Sequence, residues 1–188
     1  VIEKISQAAA IAGGADQAVN QQATVFTLYE SQLHAIDEHL NAFRANARAP
    51  DWYTDIAYLA SIPLSGTPYD VRVISDLYWK KNGINNYMSI KTVKPNIDQT
   101  EAAKRDLLRL KLADPTANVY YGLYYNPFGE NKMDYAWAPP KNIFNFNTDP
   151  SILIGKEYWD TLGGVGFYEE LLAIAQRVGI ETRQRIQG

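Results

Sequence analysis

The chain has 188 residues, 46% hydrophobic and 21% charged, an ordinary globular composition on a length that buries a core without covalent staples. It contains no cysteine, which excludes disulfides, thiolate zinc sites and a cysteine nucleophile; His34 and His39 are too few for a histidine-rich metal centre and argue against a Ser-His-Asp triad. The net charge of −3 hides an asymmetry, because residues 71–111 hold nine Lys or Arg against four acids and the remainder is acidic, a pattern that fits either an anion footprint or a solvated face.

Residues 1–22 are rich in Ala, Gln and Gly, and Gly13-Gly14 breaks any long helix, so they read as a peripheral helical or flexible segment. From about Gln22 to Phe43, apolar residues at Val25, Leu28, Tyr29, Leu33, Ile36, Leu40 and Phe43 predict one amphipathic helix. A loop at Pro50, a short apolar stretch over 53–62 and a turn at Gly66-Thr67-Pro68 follow. Two β-like runs then flank Asn82-Gly83, the strongest short-range hairpin signal. In a two-residue turn Lys81 faces Ile84 and Asp76 faces Ser89, which places Asp70, Asp76, Ser89 and Lys91 on one face. A helix over 99–113 is predicted next, with Asp98 as N-cap and Glu101 three places on, then a strand over 119–125. A short strand at Ile152-Leu153-Ile154 and an amphipathic helix over 166–178 end the chain. There are no internal repeats and no long linker. The expectation is a single α/β domain over 1–188.

An Asp on one strand facing a Ser-x-Lys triplet on its hairpin partner has a chemical use. Carboxylates bind a hard divalent ion such as Mg²⁺ through oxygen. The ion stabilises charge developing on a phosphodiester, and a neighbouring Lys orients or deprotonates the attacking water. The same pair is also what an exposed cross-strand ion pair looks like.

The stretch Ser89-Ile90-Lys91-Thr92-Val93-Lys94-Pro95-Asn96-Ile97-Asp98-Gln99-Thr100-Glu101, leading into Ala103-Lys104-Arg105-Asp106-Leu107-Leu108, resembles type II restriction endonucleases of the TdeIII kind, in the PD-(D/E)XK nuclease superfamily. Ile74-Ser75-Asp76-Leu77-Tyr78, Tyr124-Tyr125-Asn126-Pro127-Phe128-Gly129-Glu130-Asn131-Lys132 and Ile154-Gly155-Lys156-Glu157-Tyr158-Trp159-Asp160 extend the likeness over about residues 70–172. The resemblance implies a restriction-endonuclease-like mixed sheet flanked by helices, with an αβββαβ core. It also implies Mg²⁺-dependent cleavage of double-stranded DNA at a short, GGNCC-like site by a homodimer in a prokaryotic cytoplasm. Asp76 takes the position of the metal-binding Asp and Lys91 that of the Lys, with Asp70 the rival Asp. Ser89 stands where the superfamily has Glu or Asp. Glu101, with Asp106 behind it, is then the candidate replacement carboxylate, and Glu30 on the first long helix is a further one. Lys94, Asn96, Lys104, Arg105, Arg109, Asn131 and Lys132 are candidate DNA contacts.

Overall fold

Asn82 and Gly83 both have positive φ, 52° and 77°, the conformation a type I′ hairpin turn demands of its two central residues. Around this turn a computed structural model, describing residues 1–187, forms one five-stranded sheet in the order β1-β2-β3-β4-β5. The strands are β1 (Gln17–Tyr29), β2 (Pro68–Lys81), β3 (Ile84–Lys91), β4 (Asn118–Leu123) and β5 (Ile152–Ile154). The helices are α1 (Ile2–Ala12), α2 (Glu30–Arg44), α3 (Trp52–Ser61), α4 (Ile97–Ala113), α5 (Lys156–Gly163) and α6 (Phe167–Gln187). β1–β2 and β2–β3 are antiparallel, whereas β3–β4 and β4–β5 are parallel. A parallel neighbour needs a crossover, and α4 supplies it between β3 and β4. The αβββαβ core is therefore present as α1, β1, β2, β3, α4 and β4, with α2 and α3 inserted between β1 and β2.

Three predicted features need correction. Residues 22–29 belong to β1, so the helix expected from Gln22 begins only at Glu30. Thr24, Val25, Phe26, Thr27 and Tyr29 are β-branched or aromatic, and pairing of β1 with β2 from Gln17↔Lys80 to Tyr29↔Pro68 overrides the helical spacing. The N-terminal segment is likewise built in. Ala9 and Ala10 of α1 are buried, and Ser6 Oγ shares a buried 2.6 Å hydrogen bond with Tyr158 Oη of α5. α4 starts two residues earlier than Asp98 implies, because Asn96 caps it. Asn96 Oδ1 accepts from Gln99 N at 2.8 Å, and Gln99 Oε1 accepts from Asn96 N at 3.2 Å, a reciprocal capping box.

The sheet separates two apolar clusters. The larger one packs Ile36, Leu40 and Phe43 of α2 and Leu107 and Leu108 of α4 against Tyr87, Tyr121 and Phe144. The smaller packs Ala9 and Ala10 of α1 and Tyr158, Trp159 and Leu162 of α5 against Leu77, Trp79 and Met88. Strand side chains alternate sides, yet β2 sends Val71 and Val73 into the larger cluster and Leu77 and Trp79 into the smaller. β1 does the same with Leu28 and Ala18. The β1–β2 ribbon thus exchanges its faces partway along, between Val73 and Leu77.

Lys104 lies inside the larger cluster with no exposed surface. Its Nζ sits 4.3 Å from the Phe144 ring centroid and 4.9 Å from that of Trp52, with Asp149 Oδ2 3.5 Å away. Burial pushes its ammonium below the ordinary lysine range, against the pull of Asp149. The expectation that Lys104 contacts DNA is therefore corrected, since no phosphate reaches a wholly buried ammonium.

Candidate active site

Asp76 marks the point where the β2–β3 ladder ends and where β1–β2 pairing is interrupted for one step before it resumes. The β2–β3 ladder runs from Lys81↔Ile84 to Leu77↔Met88 and ends there, in the register that the Asn82-Gly83 turn predicts. On the other edge, β1–β2 pairing includes Asn20↔Leu77 and Gln22↔Ser75 but not Gln21 with Asp76. The Asp76 side chain fills the gap. Its Oδ2 accepts the Ile90 backbone N–H at 2.7 Å, so a carboxylate replaces the carbonyl that a continued ladder would offer.

Three side chains approach the same carboxylate. Ser89 Oγ lies 3.5 Å from Oδ2, at the limit for a hydrogen bond. Lys91 Nζ lies 3.7 Å from Oδ2, with Lys91 and Asp76 side chains 24% and 23% exposed, so the pair is sheltered but open to solute. Gln21 Nε2 donates to Oδ1 at 3.2 Å. Oδ2 is thus surrounded by donors while Oδ1 has one, and a carboxylate oxygen has two lone pairs. Oδ1 keeps room for another electrophile. Gln21 is a member of this group that sequence reasoning missed, because nothing in residues 17–22 distinguishes it from its neighbours Asn20 and Gln22.

The structure separates the remaining candidate acids from this point. Asp70 is six residues down β2, about 20 Å at the usual strand rise, and its Oδ1 accepts from Thr27 Oγ1 at 3.1 Å. The face exchange also sends it to the side opposite Asp76, so the expected single face of Asp70, Asp76, Ser89 and Lys91 holds only for the last three. Glu30 stands at the far end of β1, where its Oε2 accepts from Thr67 N at 3.3 Å. There it lies against Gly66, where an added Cβ would come within 2.5 Å of Glu30 Oε2. Glu101 faces α2, held by Arg44 Nη1 at 2.7 Å and Arg105 Nη2 at 2.9 Å. Burial pushes its carboxyl up, but those two guanidiniums outweigh it and hold the group below the ordinary range.

Asp106 is placed differently. Burial holds its carboxyl above the ordinary range, against the pull of Arg109, Arg105 and Lys91. Arg109 Nη1 lies 3.6 Å from its Oδ1. Among the described residues, no group of three or more histidine or acidic side chains comes together.

The candidate DNA contacts also divide. Lys94 and Asn96 are exposed beside the end of β3, Lys94 Nζ lying 5.6 Å from the ring centroids of both Phe128 and Trp137. Arg105 is tied to Asp37 at 3.0 Å and Glu101, and Arg109 to Asp106. Lys132 Nζ donates to the Ile152 carbonyl at 2.6 Å and lies 3.5 Å from Glu157, while Asn131 is exposed and caps a 3-10 turn. Lys111 caps the carbonyls of Pro115 and Ala117, and Lys81 donates to that of Gly13. Much of the basic excess of residues 71–111 therefore holds the fold, and does not form one open patch.

Comparison with known proteins places this arrangement. Residues 1–179 match the family model described as "Type II restriction endonuclease, HinfI", and the likeness read from residues 70–172 falls inside that match. The type II restriction enzyme HgiCII of Herpetosiphon aurantiacus is 31% identical over 133 residues, 68% of this chain and 48% of that protein. The type II restriction enzymes HgiEI and HgiBI of the same organism are 29% and 28% identical over 166 residues, 85% of this chain and 60% of each of theirs. The chain thus spans about half to three-fifths of the length of these relatives. No solved structure matches. No described helix is long and apolar enough to cross a membrane. With its αβββαβ core and a matched model running through nearly its whole length, the chain belongs to the HinfI family of type II restriction endonucleases.

Proposed function

We propose that this protein hydrolyses phosphodiester bonds in double-stranded DNA at a short specific site, with Asp76 and Lys91 at the reacting centre and Mg²⁺ as cofactor. The observation that carries the reading is the convergence of Asp76, Ser89 and Lys91 where the β2–β3 ladder ends, in a chain of this family. The donor set suits a hard cation. Mg²⁺ is held by one or two carboxylates with water and substrate phosphate completing its shell, and Asp76 Oδ1 offers an oxygen with a spare lone pair. When bound, the ion offsets charge developing on the phosphoryl oxygens.

The chain's own groups supply the remainder. Ile90 N–H fixes the Asp76 carboxylate, and Lys91 stands where it orients the attacking water or neutralises the phosphate. Ser89 carries no charge, so a second carboxylate, where the ion takes one, comes from elsewhere, and Asp106 suits the role better than Glu101. Glu101 is committed to two arginines, while Asp106 has one looser contact, to Arg109 at 3.6 Å. Lys94 and Asn96 hold phosphates beside the site, which sets affinity without reading sequence. One such centre per chain cuts one strand, so duplex cleavage at a near-symmetric site calls for a two-fold dimer.

Digestion of plasmid DNA with Mg²⁺ tests the function. Discrete fragments that vanish with EDTA are the expected result. A smear would replace the site-specific reading with a structure-specific or non-specific nuclease, and gel retention without cutting would leave a DNA-binding module.

A further inference from the structure

We propose that Gln21 is a positioning residue for Asp76, turning the strand so that the carboxylate faces Lys91 and holding Oδ1 for a divalent cation. The inference rests on the reading of Asp76 as a metal ligand. Its first support is the backbone. Among the described residues, three that are not glycine have positive φ: Gln21 at 53°, Asn46 at 54° and Asn82 at 52°. Asn tolerates that region because its short side chain bonds locally. Asn82 makes a hairpin turn, and Asn46 follows the end of α2. Gln21 has neither excuse, since it lies inside a thirteen-residue strand. Such a conformation persists only where its surroundings impose it, and it concentrates at functional sites.

The second support is what the kink accomplishes. Gln21 lies opposite Asp76, at the unpaired step between Asn20↔Leu77 and Gln22↔Ser75. On one side of that step Val71, Val73 and Leu28 point into the larger cluster; on the other Leu77, Trp79 and Ala18 point into the smaller. Alternation continued from Val71 and Val73 would send Asp76 to the side of Met88, in the smaller cluster. The exchange places it instead on the side of Tyr87, Ser89 and Lys91, odd-numbered neighbours on β3. The third support is the amide itself, which donates to Oδ1 at 3.2 Å, the oxygen left open by Ile90, Ser89 and Lys91. A side chain that orients a metal ligand in this way is worth about ten- to a hundredfold in metal affinity.

The test titrates Mn²⁺ into the chain bound to duplex DNA and follows the electron paramagnetic resonance of the free ion, a readout independent of cleavage. Gln21→Gly keeps the left-handed backbone at no steric cost and deletes the amide. It should melt no lower than wild type, yet need about tenfold more Mn²⁺ for half-saturation. Gln21→Asn also tolerates the backbone but is one methylene short, and should show the same weakening if the glycine variant fails to fold. Gln21→Val, whose branched side chain resists the kink, should lose both thermal stability and Mn²⁺ binding. Half-saturation within twofold of wild type in the glycine or asparagine variant overturns the proposal. Asp76→Asn, run alongside, separates two failures. If it loses Mn²⁺ while Gln21→Gly does not, the role of Gln21 alone falls. If Asp76→Asn binds like wild type, or wild type itself does not bind, the metal-ligand reading falls and takes this inference with it.

Discussion

Lys91→Ala should lower Mg²⁺-dependent cleavage by about a hundred- to ten-thousandfold, the usual worth of a positioned proton-transfer group, while DNA retention and melting temperature stay near wild type. Lys91 is partly exposed and contributes one ion pair, to Asp76, so its loss opens no cavity. Asp76→Asn should be as severe but should differ in kind. It removes the charge that pairs with Lys91 and that the proposed function assigns to the metal, so excess Mg²⁺ should restore some activity to it and none to Lys91→Ala. Asp70→Asn should cut like wild type, because Asp70 is bonded to Thr27 on the other face of the ribbon. Single-turnover rates across a Mg²⁺ series check all three. Full activity in Lys91→Ala would remove Lys91 from the reaction.

The second large effect is on folding. Truncating Lys104 to Met, or Asp149 to Asn, leaves one member of a wholly buried pair without its partner and should cost about 3–5 kcal/mol. Lys104 Nζ has no hydrogen bond of its own. Three aromatic rings and the 3.5 Å approach of Asp149 Oδ2 are what compensate it. The double variant should therefore be more stable than either single one, a coupling that urea unfolding measures as a double-mutant cycle. The pH dependence has a defined sign. Burial lowers the Lys104 pKa in the folded state, so between that value and the unfolded value of about 10.4 the unfolded chain binds the extra proton. The stability of the wild type relative to the double variant should accordingly rise as pH increases toward that upper value. Additive single effects, or a relative stability that falls with pH, would contradict this account.

How much of this was written in the sequence varies with the physics of each part. The hairpin was legible because Asn82-Gly83 admits one turn type and that turn fixes every later pair, including the meeting of Asp76 with Ser89. The helix α4 was legible too, and its spacing held the signal that was missed for Lys104. Thr100, Lys104 and Leu108 are spaced i, i+4 on the buried side of that helix, so a lysine at its centre has to be inside. Its partner Asp149, forty-five positions on in an irregular segment, has no local signal. β1 was misread because Val25, Leu28 and Tyr29 satisfy helical spacing, and pairing with β2 overrides it. The placement of Asp106 depends on how α4 is rotated against β3, and that of Gln21 on a single backbone dihedral. Composition and periodicity carry neither.

The location of the centre is open to one direct measurement. Fe²⁺ substituted for Mg²⁺, with ascorbate and peroxide, generates radicals that cut the polypeptide next to the bound ion. Fragments should end beside Asp76 and within Ser89–Lys91, with a weaker cut near Asp106, all suppressed by excess Mg²⁺ and absent in Asp76→Asn. Cuts confined to the neighbourhood of Glu30 or of Glu101, or an unchanged pattern in Asp76→Asn, would place the metal elsewhere and contradict a centre at Asp76.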